Sequence, residues 1–215
     1  MSVWIVVVAA GSGARFGGPK QYELLGSSRI VDRSMATACR VAEGVALVVA
    51  PDDLEELRAQ FRSLPKVVVV AGGATRSASV RGGLAAVSDD AKVIVVHDAA
   101  RPLATDALFE QVIATISGGA DAAVPGIAVA DSLRRTDGGI VDRGGVVAVQ
   151  TPQAFRADLL RRAHRDELEA SDDATLVEMI GGKVVIVPGE TTNFKITTSH
   201  DLKVARMIVA DEGAS

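Results

Sequence analysis

The chain has 215 residues, 48% of them hydrophobic but only 3% aromatic, and a formal net charge of −4. That composition supplies a sizeable core of the Val/Ala-rich kind found where helices cover a parallel sheet, in one large domain or two small ones. The acidic balance excludes a nucleic-acid surface, which leans on a basic field, and a lone cysteine, Cys39, excludes an internal disulfide and a cysteine zinc cluster. The longest unbroken apolar run, residues 3–10, is far too short to span a bilayer, and no secretory pattern precedes it. A reduced, cytoplasmic protein is expected, with Cys39 as a small core residue.

In chain order, Val3-Trp4-Ile5-Val6-Val7-Val8 is continuous and β-branched, predicting a strand buried on both faces. Residues 9–20 follow, with four glycines among positions 11–18 and two cations, Arg15 and Lys20. Such a backbone takes positive φ and lies close to a ligand; with cations at a strand's carboxyl end, it suits a nucleoside triphosphate. Two familiar glycine loops fail here. A dinucleotide fingerprint has Gly11 and Gly13, but Phe16 stands at its third glycine and no ribose-binding acid ends the second strand. A Walker loop has Gly13 and Gly18 at the right spacing, but Pro19-Lys20-Gln21 follows.

Helical spacing covers 30–41, a second strand 45–50, and acids at 52–56 open a further helix. A third strand, 67–71, runs into the glycine turn Gly72-Gly73-Ala74-Thr75-Arg76 and a helix whose Ser and Thr residues equally suit plain caps. The fourth strand, 93–96, ends in His97-Asp98-Ala99-Ala100-Arg101-Pro102, an acid and a cation at the edge where α/β sheets bind ligands. His97 reads as a packed strand-end residue in preference to a catalytic one. A fifth strand is expected at 120–124. Residues 131–149 are polar and glycine-rich, and Asp137-Gly138 signals a hairpin. A hairpin that long has little core of its own, so it docks elsewhere, plausibly on another subunit. Residues 151–155 re-enter the domain. Helices at 157–168 and 172–180, a strand at 184–187 and a last helix capped by Ser199, with Asp201 in its first turn, complete a single domain, 1–215, with an arm at 131–149.

Arg15, Lys20, Arg76, Arg101, Arg143 and Lys195 all fall in predicted loops of an acidic chain. Any one alone is a solvated charge. Together they point to one anion site, because doubly wound topology gathers strand ends, and each charge-assisted bond to phosphate contributes about 1.5–3 kcal/mol.

Six ordered segments now carry a resemblance: Ala9-Ala10-Gly11-Ser12-Gly13-x-Arg15, Pro19-Lys20-Gln21-Tyr22, Gly72-Gly73-x-x-Arg76-x-x-Ser79-Val80, 96–102, Thr151-Pro152-Gln153 and Asn193-x-Lys195-Ile196-Thr197. The chain resembles the 2-C-methyl-D-erythritol 4-phosphate cytidylyltransferases of the non-mevalonate isoprenoid route over essentially its whole length. The resemblance implies an α/β, Rossmann-like, doubly wound and mostly parallel sheet of the nucleotide-diphospho-sugar transferase type, with a protruding β-hairpin arm. It implies cytidylyl transfer from CTP to a polyol phosphate with Mg²⁺ held mainly by the CTP phosphates, no confident protein metal ligand, and a homodimer through the arm. Arg15, Lys20, Arg143 and Lys195 take the catalytic positions, with Arg143 supplied by the partner subunit. Ala9, Ala10, Gly11, Gly73, Ala74, Ser79 and Asp98 take nucleotide-binding positions; Asp98, Arg101, Ser132, Arg143, Thr151 and Lys195 take substrate-binding ones. Ser132 and Ser171 stand where the family usually has threonine, and Ala74 where it commonly has an acid, which leaves backbone to read the base there. The alternatives left open are a different acceptor, such as ribitol phosphate, or a non-catalytic nucleotide-binding regulator.

Overall fold

The structure, a computed structural model, describes residues 1–212. Its elements in order are β1 (Val3–Val8), β2 (Leu24–Leu25), β3 (Ser28–Arg29), α1 (Ile30–Val41), β4 (Gly44–Val49), α2 (Leu54–Phe61) and β5 (Val67–Ala71). Then come α3 (Arg76–Leu84), β6 (Val93–Asp98), α4 (Asp106–Ser117), β7 (Ala122–Ala128), β8 (Leu133–Arg134), β9 (Ile140–Val141) and β10 (Val147–Val149). The chain closes with β11 (Gln153–Arg156), α5 (Ala157–Ala163), α6 (Asp173–Met179), β12 (Val184–Pro188) and α7 (Ser199–Glu212).

β1 lies inside the main sheet, whose order is β10-β7-β11-β6-β1-β4-β5, with β12 also pairing β7. Alternation of side chains along β1 sends Val3, Ile5 and Val7 into one buried cluster with α1, α2 and α4. Val6 joins a second cluster on the opposite face with α3, α5 and α6. Both faces are therefore covered, and each buried Val, Leu or Ile contributes about 1.5–3 kcal/mol. Gly83 lets α3 lie against the sheet, since a Cβ there would stand 2.4 Å from a Val6 methyl.

The site is fixed by register. Val8 pairs with Val48 on one side and Asp98 on the other, and Val49 pairs with Ala71. The loops after β1, β5 and β6 thus leave the sheet at one edge, the carboxyl ends of its parallel strands. Segment 193–197 joins that edge through the Ile196 N–H, which donates to the Ala100 carbonyl at 2.8 Å.

Several sequence expectations are corrected. Residues 153–156, read only as a re-entry, form β11, which runs antiparallel between β6 and β7. Its four residues are too few to show a period. The fourth strand continues two residues further, through His97 and Asp98. The fifth strand starts and ends later, at Ala122 and Ala128, and α5 stops at Ala163. Within the expected arm, Leu133 and Arg134 pair with Val141 and Ile140 as a hairpin, but Val147–Val149 pairs with β7 and belongs to the main sheet. The α7 cap shifts by one residue: the Asp201 carboxylate accepts from the Thr198 N–H at 2.7 Å, and the Thr198 hydroxyl accepts from the Asp201 N–H at 3.3 Å. That reciprocal pair is a capping box with Thr198, not Ser199, at its head.

Candidate active site

Three loops and one strand end wall a cleft of about 500 Å³ at the carboxyl edge of the sheet. The glycine loop after β1 forms one side. Gly13, with φ of +67°, turns that loop back on itself: its carbonyl accepts from Phe16 N–H at 2.8 Å and Gly17 N–H at 3.0 Å. A Cβ at Gly13 would fall 1.8 Å from the Gly18 carbonyl oxygen, so only glycine fits. The buried Gln21 amide donates to the Gly11 carbonyl at 3.3 Å and ties the loop's far end to its start. This carries Arg15 and Lys20 to the cleft.

Opposite stands the turn after β5. The Ser79 hydroxyl accepts from the Gly73 N–H at 3.1 Å and donates to the Thr75 carbonyl at 2.9 Å, while the Thr75 hydroxyl caps α3 by accepting from the Ala78 N–H. The capping role and the wall of the cleft are thus filled by the same turn. Asp98 closes the floor. One of its oxygens lies 2.6 Å from Lys195 Nζ, the other 3.5 Å from Arg76 Nε. Burial by itself drives the Asp98 carboxyl upward, but Lys195, Arg76 and Arg101 more than reverse that and hold it below the usual carboxylate range.

Lys20 is held below the ordinary lysine value, first by burial and then by the nearby charges of Lys195 and Arg15. Cations from two separate parts of the sequence therefore press on one another. An anion bound among them would relieve that repulsion.

Ala9, Ala10, Gly11, Arg15, Lys20, Gly73, Ala74, Ser79, Asp98 and Lys195 all line this cleft. Arg101, Thr151, Ser132 and Arg143 do not. Arg101 instead donates to the carbonyls of Asn193 at 2.8 Å and Val149 at 3.4 Å. Thr151 is buried, and its hydroxyl accepts from the Asp98 N–H at 3.0 Å, so it acts on the cleft through Asp98. Ser132 and Arg143 sit exposed on the arm, where Arg143 donates to the Ala130 carbonyl. His97 is fully buried against Phe109, ring centroids 4.9 Å apart, which matches the packing role. Burial pushes its imidazole down to about 4.

In the sequence Arg76 figures only as a loop cation without a role and Gln21 only within a matched segment, while Asp173 and His164 carry no signal. Arg76 lines the cleft and contacts both Asp98 and Asp173. For Asp173 no local signal existed. Asp172-Asp173 reads as a helix start, and Asp172 does cap α6 by accepting from the Thr175 N–H at 2.9 Å; only the packing of α6 turns its neighbour inward.

For a magnesium ion, the described residues hold no cluster of three or more metal-ligating side chains. The cleft's one carboxylate, Asp98, is engaged by two cations. Such a donor set fits an ion carried largely on phosphate oxygens and water. No helix among the described residues is long and apolar enough to cross a membrane.

This geometry has close counterparts. The chain is 43% identical to 2-C-methyl-D-erythritol 4-phosphate cytidylyltransferase of Rhodococcus opacus, over 97% of this chain and 95% of that one. It is 41% identical to the bifunctional enzyme IspD/IspF of Clavibacter michiganensis, over 98% of this chain but 55% of that enzyme, so it spans about half the length of such bifunctional relatives. The solved structure of the 2-C-methyl-D-erythritol 4-phosphate cytidylyltransferase from Thermus thermophilus superposes with a TM-score of 0.81 at 35% identity, covering 98% of this chain and 100% of that one. The family model for IspD, 2-C-methyl-D-erythritol 4-phosphate cytidylyltransferase, matches residues 3–211. An α/β fold with a mostly parallel sheet, a cation-lined cleft at its carboxyl edge and these matches lead to one conclusion: the chain belongs to the 2-C-methyl-D-erythritol 4-phosphate cytidylyltransferase family.

Proposed function

We propose that this protein transfers a cytidylyl group from CTP to 2-C-methyl-D-erythritol 4-phosphate, a step toward isoprenoid precursors. The observation that carries the reading is the gathering of Arg15, Lys20, Arg76 and Lys195 on one cleft of an acidic molecule. An oxygen of the acceptor phosphate attacks the α-phosphorus of CTP, the bond to the β-phosphate bridging oxygen breaks, and pyrophosphate leaves with that electron pair. The protein contributes no covalent intermediate. It holds two anions in line against their repulsion and neutralises charge as it develops. Arg15 and Lys20 take the phosphates of CTP, the turn at Gly73, Ala74 and Ser79 takes the base, and Asp98 receives hydroxyl groups. Lys195 neutralises the acceptor phosphate. Mg²⁺, when bound, would be held mainly by the CTP phosphates and would supply further charge neutralisation.

Arg143 and Ser132 serve the partner's cleft in a homodimer. In support, the arm and its neighbouring strand expose Ile140 at 72%, Val147 at 40% and Val149 at 37%, apolar surface suited to a second copy. The reaction is cytoplasmic, in keeping with a single free cysteine, Cys39.

Pyrophosphate release from CTP, UTP and ATP, each with methylerythritol phosphate or ribitol phosphate, tests the reading. Turnover of CTP with methylerythritol phosphate well above every other pair is expected. Turnover with ribitol phosphate alone would move the protein to the other acceptor, and no turnover with any pair would leave only nucleotide binding.

A further inference from the structure

Behind the Arg76 wall of the cleft lies a buried pair, Asp173 and His164, that the transfer chemistry leaves unused. Asp173, in the first turn of α6, has no solvent exposure and does not line the cleft. One of its oxygens is 2.9 Å from the buried His164 Nε2, and the other is 2.8 Å from Arg76 Nη1. Arg76 in turn lies 3.5 Å from one oxygen of Asp98, whose other oxygen is 2.6 Å from Lys195. We propose that Asp173 is a positioning residue for the cleft: it shares the Arg76 guanidinium with Asp98, and so keeps Arg76 from closing fully on Asp98 and leaves both charges available to a ligand.

The unequal distances carry the argument. Arg76 leans toward Asp173, which withholds it from closing fully on Asp98. A buried carboxylate is a poor way to gain stability, because apolar packing of the same volume generally does as well. Here the carboxylate acts on a cation that faces the ligand. Burial works against the Arg76 charge, and Asp173 and then Asp98 outweigh it, so the guanidinium stays charged between two anions. With Asp173 neutral, Arg76 keeps one charged partner. It closes on Asp98, the two charges cancel, and the cleft loses both a cation and a carboxylate available to a ligand.

This inference rests on the cytidylyl-transfer reading, and its test separates the two. Asp173→Asn, Arg76→Ala and the double variant are compared with wild type for CTP affinity by calorimetry, for kcat and KM by pyrophosphate release, and for melting temperature. Asp173→Asn keeps the side chain's shape and is expected to weaken CTP binding at least about tenfold and kcat/KM at least about thirtyfold. In the Arg76→Ala background the same change is expected to move neither by more than about twofold, since its effect passes through Arg76. The double variant is also expected to melt above Arg76→Ala alone, because that single change leaves the buried Asp173 carboxylate with His164 as its remaining partner.

Wild-type values for Asp173→Asn, or an equal loss in both backgrounds, would mark Asp173 as merely structural and overturn the proposal. Should Asp173→Asn fail to fold, Arg76→Lys stands in: it keeps the charge but lacks the fork that reaches two carboxylates, and wild-type behaviour there would overturn the proposal equally. Coupling seen in CTP affinity without wild-type turnover would sink the transfer reading alone. Turnover with additive losses would sink the positioning role alone.

Discussion

Lys20 and Arg15 both line the cleft, and the proposed transfer gives them the phosphates of CTP. Burial first, and then the nearby charges of Lys195 and Arg15, disfavour the charge of Lys20. In the proposed transfer the charges of Lys20 and Arg15 act on phosphate, and removing either one is expected to hurt turnover more than folding. Lys20→Ala and Arg15→Ala should each lower kcat/KM at least about a hundredfold with the melting temperature little changed. Steady-state kinetics showing wild-type turnover in both variants would contradict their assignment. These residues were legible in the sequence because a cation inside a glycine loop serves no helix face and fits no apolar core. Arg101 and Thr151 were legible only as positions; their bonds to the Asn193 carbonyl and the Asp98 N–H depend on segments brought together from far apart in the chain.

His97 yields a prediction of another kind. Its imidazole falls from an ordinary 6.5 to about 4 because it is buried, so the folded protein refuses a proton that the unfolded chain accepts. Stability from His97 is therefore complete above pH 6.5 and declines as pH falls toward 4, by up to about 3 kcal/mol. Asp98, held below the usual carboxylate range, loses its own contribution only at lower pH. Denaturant midpoints measured from pH 7 to 4.5 should fall steadily in wild type and flatten in His97→Gln. Equal slopes in both would remove His97 as the cause.

At the scale of elements, long periodic stretches read well and short ones did not. Residues 30–41 show an apolar stripe over three turns, and α1 spans Ile30–Val41. β11 has four residues, and its place in the sheet comes from strands on either side of it. The α7 start was misjudged by one residue because Thr198 and Ser199 are both good caps, and only the Asp201 carboxylate distinguishes them by accepting from the N–H groups of Thr197 and Thr198. Asp201→Ala should cost about 1–2 kcal/mol in denaturant unfolding; no change would show that the box contributes nothing. The hairpin signal at Asp137-Gly138 was sound, and Gly138 and Gly139 do adopt positive φ. If that hairpin docks on a second copy, replacing exposed Ile140 and Val147 with Asp should convert a dimer to a monomer in sedimentation and lower kcat/KM more than about tenfold. A wild-type monomer that turns over normally would contradict the role given to the arm.

Across the whole molecule, the register of one sheet does the gathering. With Val8 level with Val48 and Asp98, loops separated by up to a hundred or so residues must leave at the same edge. The sequence carried the ingredients of this in plain view, as buried strands of which two run into glycine turns with cations and a third into Asp98 and Arg101. It did not carry the inward turn of Asp173 or the pairing of Lys195 with Asp98, which arise only when α6 and the 193–197 segment pack against the parallel strands. The most direct test of the account is a crystal structure of the protein with CTP bound. It should show the triphosphate within hydrogen-bonding distance of both Arg15 and Lys20, with the base at the turn formed by Gly73, Ala74 and Ser79. CTP bound away from that edge, or with its phosphates directed to solvent while Arg15 and Lys20 point elsewhere, would contradict it.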